Sequence, residues 1–311
     1  MKFPLLNRVT RHLVTTTLAV GSLVSLATAH AASPVVIGSK IDTEGSVLGE
    51  LVLQQLENGG VEVKDRLQLG VTNIVRQALV SGEIDIYPEY TGNGAFFFDM
   101  ADSPVWQKAD SGYETVRDKD LDANQLVWLT PAPANNTWAI SVRGDLARDN
   151  DLTSLEDLAD YLEEGGKLKL AASAEFVESP QALPSFQEAY GFELSQGQLL
   201  VLSGGNTAAT MRAAALQTDG VNAAMVYGTD GGLQALDLQV LDDNLGVQPV
   251  YQPAPVIRQS VLDENPDIAD LLAPLFAALD RETLQRLNGD VAVNGLDPAN
   301  VAADFLATLD N

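Results

Sequence analysis

Ile84 to Phe98 (IDIYPEYTGNGAFFF) gathers the side chains best suited to holding a small polar ligand. Tyr87 and Tyr90 offer ring faces and hydroxyls, Glu89 a carboxylate, and Thr91 and Asn93 short hydrogen-bonding groups. Ile84 and Ile86 alternate with polar neighbours as in a strand, and Pro88, lacking an N–H, is expected to end the ladder. The loop from Glu89 to Asn93 then lies at the carboxyl end of a strand, where open α/β sheets place their ligand crevice. An aromatic turn packed on itself is the competing reading. A glycoside-cleaving pair of Asp85 and Glu89 is not: four residues apart on a strand puts them roughly 13 Å apart on one face, beyond the spacing of either mechanism.

Other aromatics fall at comparable places. Trp138 and Tyr227, with the acid Glu175, sit at or near strand ends, and Tyr251 follows a second crossing and opens a proline-rich extended segment. Four rings converging on one cleft could box a quaternary ammonium, at about 0.5–2 kcal/mol for each good face. Such a nitrogen has no N–H, so ring faces must do most of the recognising. For any single ring, core packing is the rival reading.

Composition removes most catalytic alternatives. The chain has no cysteine, and its two histidines, His12 and His30, lie in an N-terminal segment that reads as an export leader. That segment has Lys2, Arg8 and Arg11, an apolar run from Leu13 to Leu26, and a small-x-small site at Ala29-His30-Ala31. Cleavage near Ala31 is expected, leaving a soluble periplasmic protein without a lipid anchor. Such a chain cannot run Ser-His-Asp or Cys-His catalysis or build a histidine zinc site. No metal, cofactor or catalytic residue is expected. The net charge of −25 moves to near −28 without the leader, with 15 basic residues against 43 acidic. Nucleic acid and anionic lipid are therefore excluded as partners. Solubility in a saline exterior is the simplest reason for such a surface.

The elements that must position these residues alternate. Val35 to Gly38 reads as a strand and Thr43 to Asn58 as a helix, with apolar residues at three- and four-residue spacing and Gly59-Gly60 behind it. A strand from Val61 to Leu69, a helix from Ile74 to Ser81 capped by Thr72 or Asn73, and the Ile84–Tyr87 strand complete a β-α-β-α-β run. Arg76 falls on a solvated face of that second helix. Pro131 to Ala134 reads as a crossing into a second α/β unit. There a helix from Thr153 to Glu164 is capped by Asp151 or Thr153, and strands are expected at Leu168–Ala172 and Ala223–Tyr227. Gly204-Gly205-Asn206 reads as an N-cap turn before the helix at Thr207. A return crossing lies at Asp242 to Val250, and the chain ends in helices. One α/β lobe interrupted by another makes a hinged clamshell whose interlobe cleft is the natural pocket. The expected bounds are 32–134 with 245–311 for lobe 1, and 135–244 for lobe 2.

GSKIDTEG at Gly38–Gly45, IDIYPEYTGNGAFFF, TPAPANNTW at Thr130–Trp138, LAASAEF at Leu170–Phe176 and MVYGTDG at Met225–Gly231 occur in an order that resembles one family. It is that of the periplasmic osmoprotectant-binding proteins of ABC importers, the glycine betaine, choline and proline-betaine group. The resemblance spans essentially the whole chain after the leader. It implies an α/β type II periplasmic-binding-protein clamshell, capture of a quaternary amine, and delivery to permease and ATPase subunits of an inner-membrane importer. A monomer is expected. The family's cage rings match Tyr90, Tyr227 and Tyr251, with Trp138 standing where relatives have a tyrosine. The lysine that helps hold a ligand carboxylate matches Lys40, a small polar residue matches Asn93, and a position beside the cage matches Asn136.

One position departs. Where many relatives place an arginine to clamp the ligand carboxylate, this chain has Ser179, and a hydroxyl does not replace a planar bidentate fork. This leaves room for choline, for a weak betaine site, or for a clamp from Lys40 with Thr43 or Asn93. Two rivals remain: a same-fold protein for an amino acid or similar zwitterion, and, more remotely, a histidine-free carboxylate glycosidase.

Overall fold

The computed structural model describes Met1, residues 33–202 and residues 207–309. The leader and the Gly204–Asn206 turn lie outside the described residues.

Two five-stranded sheets share one topology. The first contains β1 (Val35–Lys40), β2 (Val63–Gly70), β3 (Ile86–Tyr90) and β4 (Leu126–Trp128). The second contains β5 (Trp138–Arg143), β6 (Leu170–Ser173), β7 (Leu199–Leu202), β8 (Ala223–Tyr227) and β9 (Leu238–Val240). After it the chain returns to the first sheet as β10 (Pro253–Arg258). The strand orders are β2-β1-β3-β10-β4 and β7-β6-β8-β5-β9. In each, three parallel strands are followed by one antiparallel strand lying next to a crossing.

The inner strands of each sheet are buried on both faces, as parallel strands joined by helical crossovers require. The helix Thr43–Asn58 shows why the pattern works: Val47, Leu48, Leu51, Val52 and Leu56 are fully buried against the first sheet. Asp42 caps it, its Oδ1 accepting from the Gly45 N–H at 2.8 Å. Among the described residues no helix is long and apolar enough to cross a membrane.

Several local expectations are corrected. β3 does not stop at Pro88 but continues to Tyr90. Pro88 lies opposite Pro255 in the antiparallel ladder, and two facing prolines make a non-hydrogen-bonded pair that needs no N–H from either. The helix at Thr72–Ser81 begins after Val71, with no side-chain cap, rather than after Thr72 or Asn73. Leu155–Glu163 is capped by Ser154 in a reciprocal box with Asp157, not by Asp151 or Thr153. Arg76 is not on a solvated face: it forks onto the fully buried Asp120 at 2.7 and 2.6 Å and stacks over Phe97. The short edge strands β7 and β9 carry too little alternation to stand out in the sequence.

Candidate functional site

The crossings, residues 129–137 and 241–252, run side by side. The Ala132 N–H donates to the Pro253 carbonyl, the Asn136 N–H to the Tyr251 carbonyl, and the Tyr251 N–H to Asn135 Oδ1. Beside this pairing lies a cleft of about 570 Å³, lined by Asn136 and Tyr227 among the anticipated site residues but not by Tyr90, Trp138, Tyr251, Lys40 or Asn93. Its walls include Asp42, Thr43 and Glu44 from the first sheet's side, Asn136 from the crossing, Tyr227 at the end of β8, and Thr229 and Asp230 just after it.

Two of the rings anticipated from the sequence stack on one another. Trp138 and Tyr227 are direct partners in the antiparallel β5–β8 ladder, so their side chains share a sheet face. Their centroids are 6.5 Å apart and nearly parallel, and Phe176 meets Trp138 edge-on at 5.9 Å. Tyr251 lies across Gly92, where an added Cβ would come within 2.7 Å of its ring. Only glycine lets the Tyr90 loop approach that closely. Burial pushes the Tyr251 hydroxyl up to about 12, with added repulsion from nearby Tyr227 and Glu89. Tyr90 is buried, and its hydroxyl donates to Glu44 Oε1 at 2.6 Å.

Lys40 and Asn93 converge on a different partner. Lys40 Nζ donates to Glu89 Oε1 at 2.5 Å and Asn93 Nδ2 to the same oxygen at 2.7 Å. The Tyr87 hydroxyl donates to Glu89 Oε2 at 2.8 Å. Lys40 also lies 4.5 Å from the centre of the Tyr90 ring. Glu89 is fully buried, and this lysine neutralises it beneath the rings. Ser179 ends a short helix, Ala174–Glu178, and is not part of the cleft wall.

Sequence reading missed the acids of the cleft. Glu44 accepts from Tyr90, from Asn136 Nδ2 at 3.0 Å and from Asn288 Nδ2 at 2.6 Å. Burial raises its pKa, partly offset by hydrogen bonds from Thr229, Tyr90 and Asn288. Asp230 accepts from the Tyr227 N–H at 2.8 Å, and burial lifts it to about 6. Glu44 lies inside the GSKIDTEG block and Asp230 inside MVYGTDG, so the motifs held the signal. Asn288 comes from the distant helix Arg281–Ala292, and no pattern links it to them. Among the described residues no His, Cys, Asp or Glu group is arranged to hold a metal.

Residues 33–308 match the family model described as the substrate binding domain of ABC-type glycine betaine transport system. The glycine betaine-binding protein YehZ of Escherichia coli is 60% identical over 290 residues, covering 92% of this chain and 95% of that one. A glycine-betaine-binding protein of Pseudomonas aeruginosa is 34% identical over 277 residues, 87% of this chain and 86% of its own length. The apo structure of the E. coli protein superposes with a TM-score of 0.87 at 61% identity, covering 89% of this chain and 99% of that one. The architecture is the two-lobed type II periplasmic-binding-protein fold.

Proposed function

The chain belongs to the family of substrate-binding domains of ABC-type glycine betaine transport systems, and from that premise we propose that it captures a quaternary ammonium solute, such as glycine betaine or choline, between its lobes. Members of this family bind solute for transport rather than transform it. The observation that carries the reading is the stacked Trp138–Tyr227 pair, with Tyr227 on the cleft wall. Tyr90, Trp138, Tyr227 and Tyr251 are the proposed cage, with Asn136 at its edge. Lys40 and Asn93 can serve the ligand's polar end only by sharing Glu89, which now holds both.

In this reading the lobes are residues 32–134 with 245–311, and 135–244. The leader ends near Ala31, the mature protein works in the periplasm, and a permease with its ATPase receives the solute. Capture is a population shift between open and closed lobes, driven by the ligand's stronger contact with the closed form.

The test is calorimetric titration of refolded, ligand-free protein with glycine betaine, choline and proline betaine at two salt concentrations. Saturable binding of one of them is expected; silence with all three overturns the reading. A second reading is favoured by the acids Glu44 and Asp230 on the cleft wall: an amino acid, whose ammonium would bond to them. Loss of affinity on N-methylation of the ligand would select it.

A further inference from the structure

Glu44 is held as a bound carboxylate would be. It projects from the first turn of the helix Thr43–Asn58 and is only 6% exposed. Its Oε1 accepts from the Tyr90 hydroxyl and Asn136 Nδ2, its Oε2 from Asn288 Nδ2, and the Thr229 side chain also bonds to it. These donors come from β3, from the first crossing, from the loop after β8 and from the helix Arg281–Ala292. All are neutral, and among the described residues no lysine or arginine forms an ion pair with Glu44.

The cleft it faces carries further negative charge. Asp42 and Asp230 share the wall, with Arg212 as the cationic residue on it. Tyr90 and Asn136, two of the proposed ligand residues, spend their donors on Glu44. Lys40 and Asn93 are committed to Glu89. A ligand bearing its own carboxylate would find the single Tyr90 hydroxyl taken and the charge of Lys40 already matched by Glu89, and would meet a like charge. A ligand with the same trimethylammonium head and a hydroxyl in place of the carboxylate would meet neither obstacle. Like charges a few ångströms apart near a protein surface repel strongly enough to reorder affinities.

We propose that Glu44 is a specificity-determining residue: a resident carboxylate that occupies the donor cradle between the lobes and biases the cleft toward cationic rather than carboxylate-bearing quaternary amines. The inference rests on the aromatic-cleft reading above.

Choline and glycine betaine share one head group, so the ratio of their affinities cancels any general damage to the cage. The experiment is calorimetric titration of the wild-type protein, Glu44→Gln and Glu44→Ala with both ligands at one pH and salt concentration. The glutamine keeps the shape without the charge, and the alanine empties the cradle. Both variants should shift the ratio at least tenfold toward glycine betaine. Acetate should stabilise Glu44→Ala against heat in a saturable way and leave the wild type unmoved. Retained binding with an unchanged ratio overturns the inference and leaves the cage reading standing. Absence of binding by all three proteins overturns both.

Discussion

Trp138 and Tyr227 face one another across the antiparallel β5–β8 ladder, their rings 6.5 Å apart and inclined by 25°. Tyr227 lines the cleft, and Trp138 backs it. A quaternary ammonium gains about 0.5–2 kcal/mol from each good ring face, more when desolvated. Tyr227→Ala removes one face and unsupports the other, so affinity for the best ligand should fall at least tenfold, about 1.4 kcal/mol. Tyr227→Phe keeps the face and should stay within about threefold. Titration of both variants separates ring from hydroxyl, and unchanged affinity in the alanine variant removes Tyr227 from the cage.

The Lys40–Glu89 pair is buried at both ends, with side chains 6% and 0% exposed. Breaking such a pair from one side strands a charge in a low-dielectric interior, at a cost of about 3–5 kcal/mol. Glu89→Gln should lower the unfolding free energy by that order in urea titration. The double variant Lys40→Met with Glu89→Gln strands no charge, keeps an acceptor for the Tyr87 hydroxyl, the Tyr90 N–H and Asn93, and should recover most of it. A single variant as stable as the wild type would show that Lys40 reaches water or a counter-ion without Glu89.

The acidic surface gives a third expectation. At a net charge of −25, self-repulsion opposes the compact state, and salt shortens its range to about 10 Å at 0.1 M and 3 Å at 1 M. The melting temperature should therefore rise with potassium chloride over that range. A flat or falling curve would mean that local ion pairs outweigh the repulsion.

Much of this architecture was legible because it depends on short-range pattern. The helix Thr43–Asn58 and the strand Ala223–Tyr227 follow from apolar spacing alone. The rings were legible too, since motifs mark Tyr90 and Tyr227 as strand-end residues. What escaped depended on partners far away in the chain. Pro88 reads as a strand breaker until Pro255 is found opposite it. Arg76 reads as a solvated cation until Asp120, itself also bonded by Trp128 Nε1 and Asn124 Nδ2, is brought against it. The partner of Lys40 escaped as well, because Glu89 on the neighbouring strand β3 meets it only once the sheet forms. Side-chain charge is visible in a sequence; the partner that cancels it is not.

Asp230 gives the sharpest dependence on pH. Burial raises its pKa from 3.8 to about 6, against the opposing hydrogen bonds from the Tyr227 N–H and the Thr207 side chain. Because the folded value lies above the unfolded one, the folded state binds the proton more tightly. Its stabilising contribution is complete below the unfolded pKa and is lost as pH rises through the folded one. The loss should amount to about 3 kcal/mol, from roughly two units at 1.36 kcal/mol each. Asp230→Asn keeps an acceptor for the Tyr227 N–H and abolishes the titration. In urea unfolding the variant should gain on the wild type between about pH 4 and pH 6.5 and run parallel to it on either side. Every other titrating group, Glu44 included, is common to both proteins and drops out of the difference. A difference that stays constant from pH 4 to pH 7 would mean that Asp230 titrates alike in the folded and unfolded chains.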